Sequence, residues 1–141
     1  MANRGSRQPT ITIKRVYDKP SASDGLRILM DRLWPRGVSK AEAQIEAWPR
    51  ALTPSTELRK WYAHDANRWA EFRRRYRAEL AQQDDALAEL RTMIKGRRAT
   101  LLTATRELEL SQAAVLREVL TKAPTVGRRR GGRTARVNSI T

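Results

Sequence analysis

The chain has 141 residues, with 29 Lys and Arg against 15 Asp and Glu, a single His, four Trp and no Cys, giving a formal net charge of +14. That length holds one domain, and an apolar content of 40% fills one core if the charges stay outside it. The absence of Cys excludes disulfides, zinc ribbons, thiolate nucleophiles and iron–sulfur clusters, and no run nears the ~18 apolar residues of a membrane span, so a reduced, cytosolic protein without a membrane partner is expected.

Residues 1–9 form a flexible start that lacks the apolar core of a signal peptide. Residues 10–16 (TITIKRV) alternate β-branched and polar residues, the period-2 signature of a strand with Ile11 and Ile13 on one face. A turn-rich connection over 18–25 leads to a second strand over 26–30. Ser39 and Glu42 have capping-box spacing, so a short helix starts there. The alternation of Ile45 and Ala47 predicts another short strand over 43–48, ended by Pro49.

Ser55 caps a helix through Trp61 or Tyr62, and Asp65 caps the next, in which Trp69, Phe72, Tyr76 and Leu80 form one apolar stripe. Arg68, Arg73, Arg74, Arg75 and Arg77 cover its other faces, with Glu71 four residues before Arg75. Leu87, Leu90 and Ile94 continue a helical pattern that Gly96 stops. The unalternating run 99–104 (ATLLTA) reads as a strand covered on both faces, and 111–122 as a closing helix with Leu116 and Leu120 inward.

Alternating strands and helices predict an α/β fold: a small, mostly parallel sheet of three to four strands covered by helices, in one domain over 10–122. Residues 123–141 contain no acid and no apolar periodicity, so they read as a disordered, Arg-rich tail. Arg4, Arg7, Arg128, Arg129, Arg130, Arg133 and Arg136 carry half of the net charge.

Ligands in parallel α/β sheets bind beyond the carboxyl ends of the strands, which directs attention to the loops after Met30 and Ala104. Asp31, Arg32, Trp34, Pro35, Arg36 and Gly37 combine a carboxylate, two guanidinium forks and an indole within seven positions. Arg32 and Arg36 suit a phosphate or carboxylate, Trp34 a ring, and Asp31 an orienting or basic role. The competing reading is structural: an Asp31–Arg ion pair, with Trp34 filling the core. His64, at a helix end, is the other candidate base, although no Ser or Asp partner is fixed by spacing. No catalytic residue is assigned. The acids lack metal-ligand spacing, and the usual nucleotide-hydrolase, dinucleotide, α/β-hydrolase and zincin motifs are absent, so no metal or cofactor is expected.

The runs KRVYDKP, DGLRILMDRLWPRGVSK, TPSTELRKWYAHD, RWAEFRRRYRAEL, and TLL followed by AAVLREVL resemble the bacterial YeaO-like family, domain of unknown function 488, over about residues 10–121. The resemblance implies a compact α/β fold and assigns no reaction. In that family the last strand leads into a stretch resembling LLYAAKDEEHNNAVVL, which would face the DRLWPRG loop. Here Thr103 replaces its Tyr, Arg106 its Lys, Glu107 its Asp, Leu110 its His, and Ser111-Gln112 its Asn pair. The charge signs survive at Arg106 and Glu107, while a possible base and two amides are exchanged.

The leading expectation is therefore a small anionic or nucleotide-like ligand at Arg32, Trp34, Arg36, Arg106 and Glu107, with Asp31 orienting it. The first alternative is non-specific nucleic acid contacted by Arg73, Arg74 and Arg77 of the basic helix 66–80 and by Arg128, Arg129 and Arg130 of the tail. The second is an enzyme with His64 or Asp31 as general base.

Overall fold

A computed structural model describes residues 10–121. The tail over 123–141, with Arg128, Arg129 and Arg130, lies outside the described residues, as do residues 1–9 and Lys122. Three strands, β1 (Thr10–Arg15), β2 (Leu26–Leu29) and β3 (Arg98–Thr103), form a parallel sheet in the order β1-β3-β2. The last strand in sequence is thus central, which explains why its five residues after Arg98 are all buried. In register, Ile13 and Ile28 both pair with Leu101.

The chain between β2 and β3 supplies four of the five helices: α1 (Lys40–Ala43), α2 (Thr56–Tyr62), α3 (Trp69–Leu80) and α4 (Asp84–Ile94). Helix α5 (Gln112–Thr121) follows β3. One sheet face, with Leu26, Ile28, Met30, Ala99 and Leu101, packs against α2 to α5. Phe72, Tyr76 and Leu80 of the predicted stripe are buried there, and Trp69 lies at its edge. The opposite face, with Val16, Leu29 and Leu102, is covered by α1 and by Trp34, Val38, Ile45 and Trp48. The helical cover is therefore unequal on the two faces.

Both capping bonds of Ser39 and Glu42 form, at 3.1 and 3.2 Å. Asp65 caps a short 3-10 turn (Ala66–Arg68), and α3 begins only at Trp69. The strand expected over 43–48 does not form. Gln44 ends α1 in the left-handed region at φ 50°, and only Ala47 pairs with β2, through one bridge to Ile28. Two alternating apolar residues suffice for that bridge but not for a ladder. At the start of β2, Gly25 has φ +65°, and a Cβ there would lie 2.1 Å from the Arg98 carbonyl oxygen, so only glycine fits between the strands.

Candidate functional site

The site is built at the carboxyl ends of β2 and β3. Asp31 follows Met30, whose amide donates to the Leu102 carbonyl at 2.9 Å and holds the chain against β3 until the strand ends. The Asp31 carboxylate then spans the gap. Its Oδ1 accepts from Thr103 Oγ1 at 2.7 Å and from Gln112 Nε2 at 2.8 Å, and its Oδ2 accepts from the Ala104 amide at 2.9 Å. Burial pushes the Asp31 carboxyl above the usual carboxylate range; the three donors and the charge of Arg59 pull it down only in part. No cationic side chain among the described residues lies within salt-bridge distance of it.

Above Asp31 lies a cavity of about 660 Å³. Arg32, Trp34 and Pro35 line it from the loop after β2, Arg59 and Lys60 from α2, Phe72 from α3, and Gln112 from the start of α5. Helix α2 is held over the strand ends at both of its ends. At its start, Ser55 Oγ accepts from the Leu58 amide at 3.1 Å, and the Glu79 carboxylate of α3 accepts from Ser55 N at 2.8 Å and Ser55 Oγ at 2.6 Å. At its end, Tyr62 stacks on Phe72 with centroids 4.2 Å apart and donates to the Leu110 carbonyl at 2.7 Å. Beyond it, Ala63 and His64 occupy the left-handed region in succession, at φ 46° and 58°, which places an exposed His64 on the cavity wall. A second cavity of about 250 Å³ shares Tyr62, His64, Ala104 and Thr105 with the first and adds Arg106 and Glu107.

The structure thus brings Asp31, Arg32, Trp34 and His64 to one cavity and Arg106 and Glu107 to its neighbour. It does not bring Arg36 to the first cavity. The Arg36 carbonyl accepts from the Tyr17 hydroxyl at 3.1 Å, and its side chain is exposed. Trp34 packs structurally and also lines the cavity: its Nε1 donates to the Val38 carbonyl at 2.6 Å and its ring packs edge-on against Trp48. Arg32 donates weakly to Thr53 Oγ1 and the Pro54 carbonyl, at 3.3 and 3.4 Å, and no Asp31–Arg ion pair forms among the described residues. Arg59 and Lys60 were not legible as site residues, because they are ordinary charges on a short helix until its placement is known.

The arginines of α3 are arranged differently. Arg73 and Arg77 share Glu118, Arg74 and Arg75 share Glu71, and Arg68 lies 3.6 Å from Asp65. Arg74 and Arg75 hold the Glu71 carboxyl down at about 2. Each fork is committed to a carboxylate, in contrast to Arg32, Arg59 and Lys60.

A family model described as the inactive DUF488-N3 subclade matches residues 10–135. The chain belongs to this family. Among its DUF488 relatives, the uncharacterised protein YeaO of Escherichia coli K12 is 43% identical over 110 residues, covering 78% of this chain and 96% of YeaO. The uncharacterised protein Rv3073c of Mycobacterium tuberculosis H37Rv is 41% identical over 114 residues, covering 81% of this chain and 96% of its own. No solved structure matches the chain. The YeaO-like resemblance is therefore correct. Two of the departures from the DUF488 pattern noted above, Thr103 and Gln112, are the side chains that bind Asp31. A third, Leu110, contributes its carbonyl to Tyr62. No helix among the described residues is long and apolar enough to cross a membrane, and no group of acidic and histidine side chains among them could hold a metal ion.

Proposed function

We propose that this DUF488 protein binds a small anionic ligand, of nucleotide-like size, in the cavity at the strand ends. One observation carries the reading: Arg32, Arg59 and Lys60 line a single cavity with no carboxylate paired to any of them among the described residues, whereas Arg68, Arg73, Arg74, Arg75 and Arg77 are each paired. Unpaired guanidinium and ammonium groups beside apolar walls favour a phosphate or carboxylate, which gains charge-assisted hydrogen bonds where water is scarce. Arg59 and Lys60 take the role expected of Arg36.

Binding is favoured over turnover. The matching family model is described as inactive, and Asp31, the better placed of the two candidate bases, already accepts three hydrogen bonds from the protein. His64 makes no hydrogen bond to a described residue that would orient its ring. The test is calorimetric titration of the full chain with inorganic phosphate, phenylphosphonate and adenosine 5′-monophosphate. At least one should bind, Arg59→Ala combined with Lys60→Ala should weaken it by about tenfold or more for loss of two charge-assisted bonds, and Arg36→Ala should leave it unchanged. Binding that survives the double variant, or that depends on Arg36, rejects the site.

A further inference from the structure

The cavity has a second chemical pole, and it is short of donors. A carboxylate offers about four acceptor positions, roughly two per oxygen. On Asp31, Oδ1 is filled by Thr103 and Gln112, while Oδ2 accepts only the Ala104 amide and keeps one position open. Gln112 adds a second acceptor. Its Nε2 donates to the Met30 carbonyl at 3.1 Å and to Asp31 Oδ1 at 2.8 Å; exchanging the amide's nitrogen and oxygen would set oxygen against both acceptors, so the orientation is fixed by its partners. Its Oε1 accepts from no described residue, and both Asp31 and Gln112 line the cavity.

The pole also lacks a salt-bridged partner among the described residues: the charge of Arg59 acts on Asp31 only from beyond pairing distance. Asp31 is one of the cavity's lining residues and the only carboxylate among them, and none of the cations lining the same cavity pairs with it. A half-buried carboxylate without a cation is costly, and burial accordingly raises its proton affinity. A ligand that brings a positive charge and at least two N–H groups would answer both deficits together. The same cavity has Trp34, Pro54 and Phe72 in its lining, apolar surface suited to a ring or short hydrocarbon body.

We propose that the cavity selects a zwitterion: a ligand whose ammonium or amidinium head docks on Asp31 Oδ2 and Gln112 Oε1 while its carboxylate or phosphate meets Arg59 and Lys60. This rests on the anion-binding reading above and adds the opposite end of the ligand. The head reads charge as well as hydrogen-bond direction, because a hydroxyl supplies only one donor and no charge.

The test uses near-isosteric probes on the full chain: 4-(aminomethyl)benzoate, 4-ethylbenzoate and 4-ethylbenzylamine, together with the first two as phenylphosphonates. Affinities are read by calorimetry, and the positions touched are read by amide NMR shifts at Ala104 and at Arg59 and Lys60. The zwitterions should bind about tenfold more tightly than the ethyl compounds, the value of one charge-assisted hydrogen bond. The probes with an ammonium head should shift the Ala104 amide and lower the Asp31 carboxyl titration, and 4-ethylbenzoate should do neither. In Gln112→Met, which removes the Oε1 acceptor together with the Nε2 donor to Asp31 and Met30, the ratio of zwitterion to 4-ethylbenzoate affinity within the variant should shrink. Equal binding of zwitterion and ethyl compound overturns the zwitterion assignment and leaves the anion site standing. A preference that leaves Ala104 unmoved also overturns it, since the head then sits elsewhere. No perturbation of Arg59, Lys60 or Ala104 by any probe overturns both readings.

Discussion

Asp31 is a structural joint in the fold and lines the proposed ligand cavity. Its carboxylate joins the end of β2 to the end of β3 and the start of α5, so its removal strands three donors, two at the end of β3 and one at the start of α5. Asp31→Ala is expected to cost about 2–4 kcal/mol in urea denaturation, the price of leaving half-buried donors without an acceptor. The pH dependence has a definite sign. A carboxyl raised by burial holds its proton more tightly folded than unfolded, so its ionised form opposes folding, and that opposition is relieved as pH falls from neutral through the raised value. The stability advantage of the wild type over Asp31→Ala should therefore widen on mild acidification; an advantage that narrows would contradict the shift. Asp24 behaves oppositely. Burial works against its charge, but the Ser21 amide, Lys14 and Arg27 outweigh it and hold the carboxyl low, so the stabilisation from Asp24 is present above the ordinary carboxylate range and lost as pH falls through its lowered value.

At the scale of elements, α2 carries Arg59 and Lys60, the wall of the proposed anion site. Seven residues are too few for a helix to hold itself, so its placement depends on the bonds at its two ends. Glu79→Ala removes the α3 carboxylate that accepts from both Ser55 N and Ser55 Oγ, at the positive end of the α2 dipole. The expected loss is about 1–2 kcal/mol, comparable to losing a cap, with a fall in anion affinity as Arg59 and Lys60 lose their register over the strand ends. Glu118→Gln is the contrasting variant. It breaks the pairs to Arg73 and Arg77, which are about a third exposed or more, and should cost clearly less stability than Glu79→Ala with affinity unchanged. Denaturation and calorimetry on both variants check the pair of outcomes. The same contrast shows what the sequence could reveal. The Ser55 cap, the Phe72–Tyr76–Leu80 stripe, the stop at Gly96 and the buried run of β3 are local signals, and all four are realised. Asp31 was legible because ligands gather beyond strand ends. Arg59 and Lys60 were not, because their role depends on where α2 is docked, and the docking bonds run to Glu79 and Leu110, far away in sequence. The strand expected over 43–48 failed for a related reason: alternation is a local property, whereas a ladder needs a partner edge, and β2 offers one only at Ile28.

For the whole molecule, the question is where a net charge of +14 acts. The α3 surface looks like a basic stripe in sequence, but its arginine forks are occupied by Glu71, Glu118 and Asp65, and a phosphate would have to displace those carboxylates. Arg128, Arg129 and Arg130 stand in a stretch of sequence, 123–141, without a single acid, so no carboxylate within that stretch competes for them. Any affinity for nucleic acid should therefore follow the sequence after Ala123 and not the α3 face. Fluorescence anisotropy of a labelled single-stranded oligonucleotide, titrated against salt, tests this on the full chain. Replacing Arg128, Arg129 and Arg130 together by Ser should reduce the slope of log affinity on log salt by about 2, at roughly 0.7 per phosphate contact. Replacing Arg73, Arg74 and Arg77 by Ser should leave the slope nearly unchanged. The reverse pattern would mean that phosphate outcompetes Glu71 and Glu118, and would move nucleic-acid contact onto the folded domain. Neither triple variant touches Arg59 or Lys60, so the affinity for small anions should be the same in both, which separates the charge of the tail from the charge of the cavity.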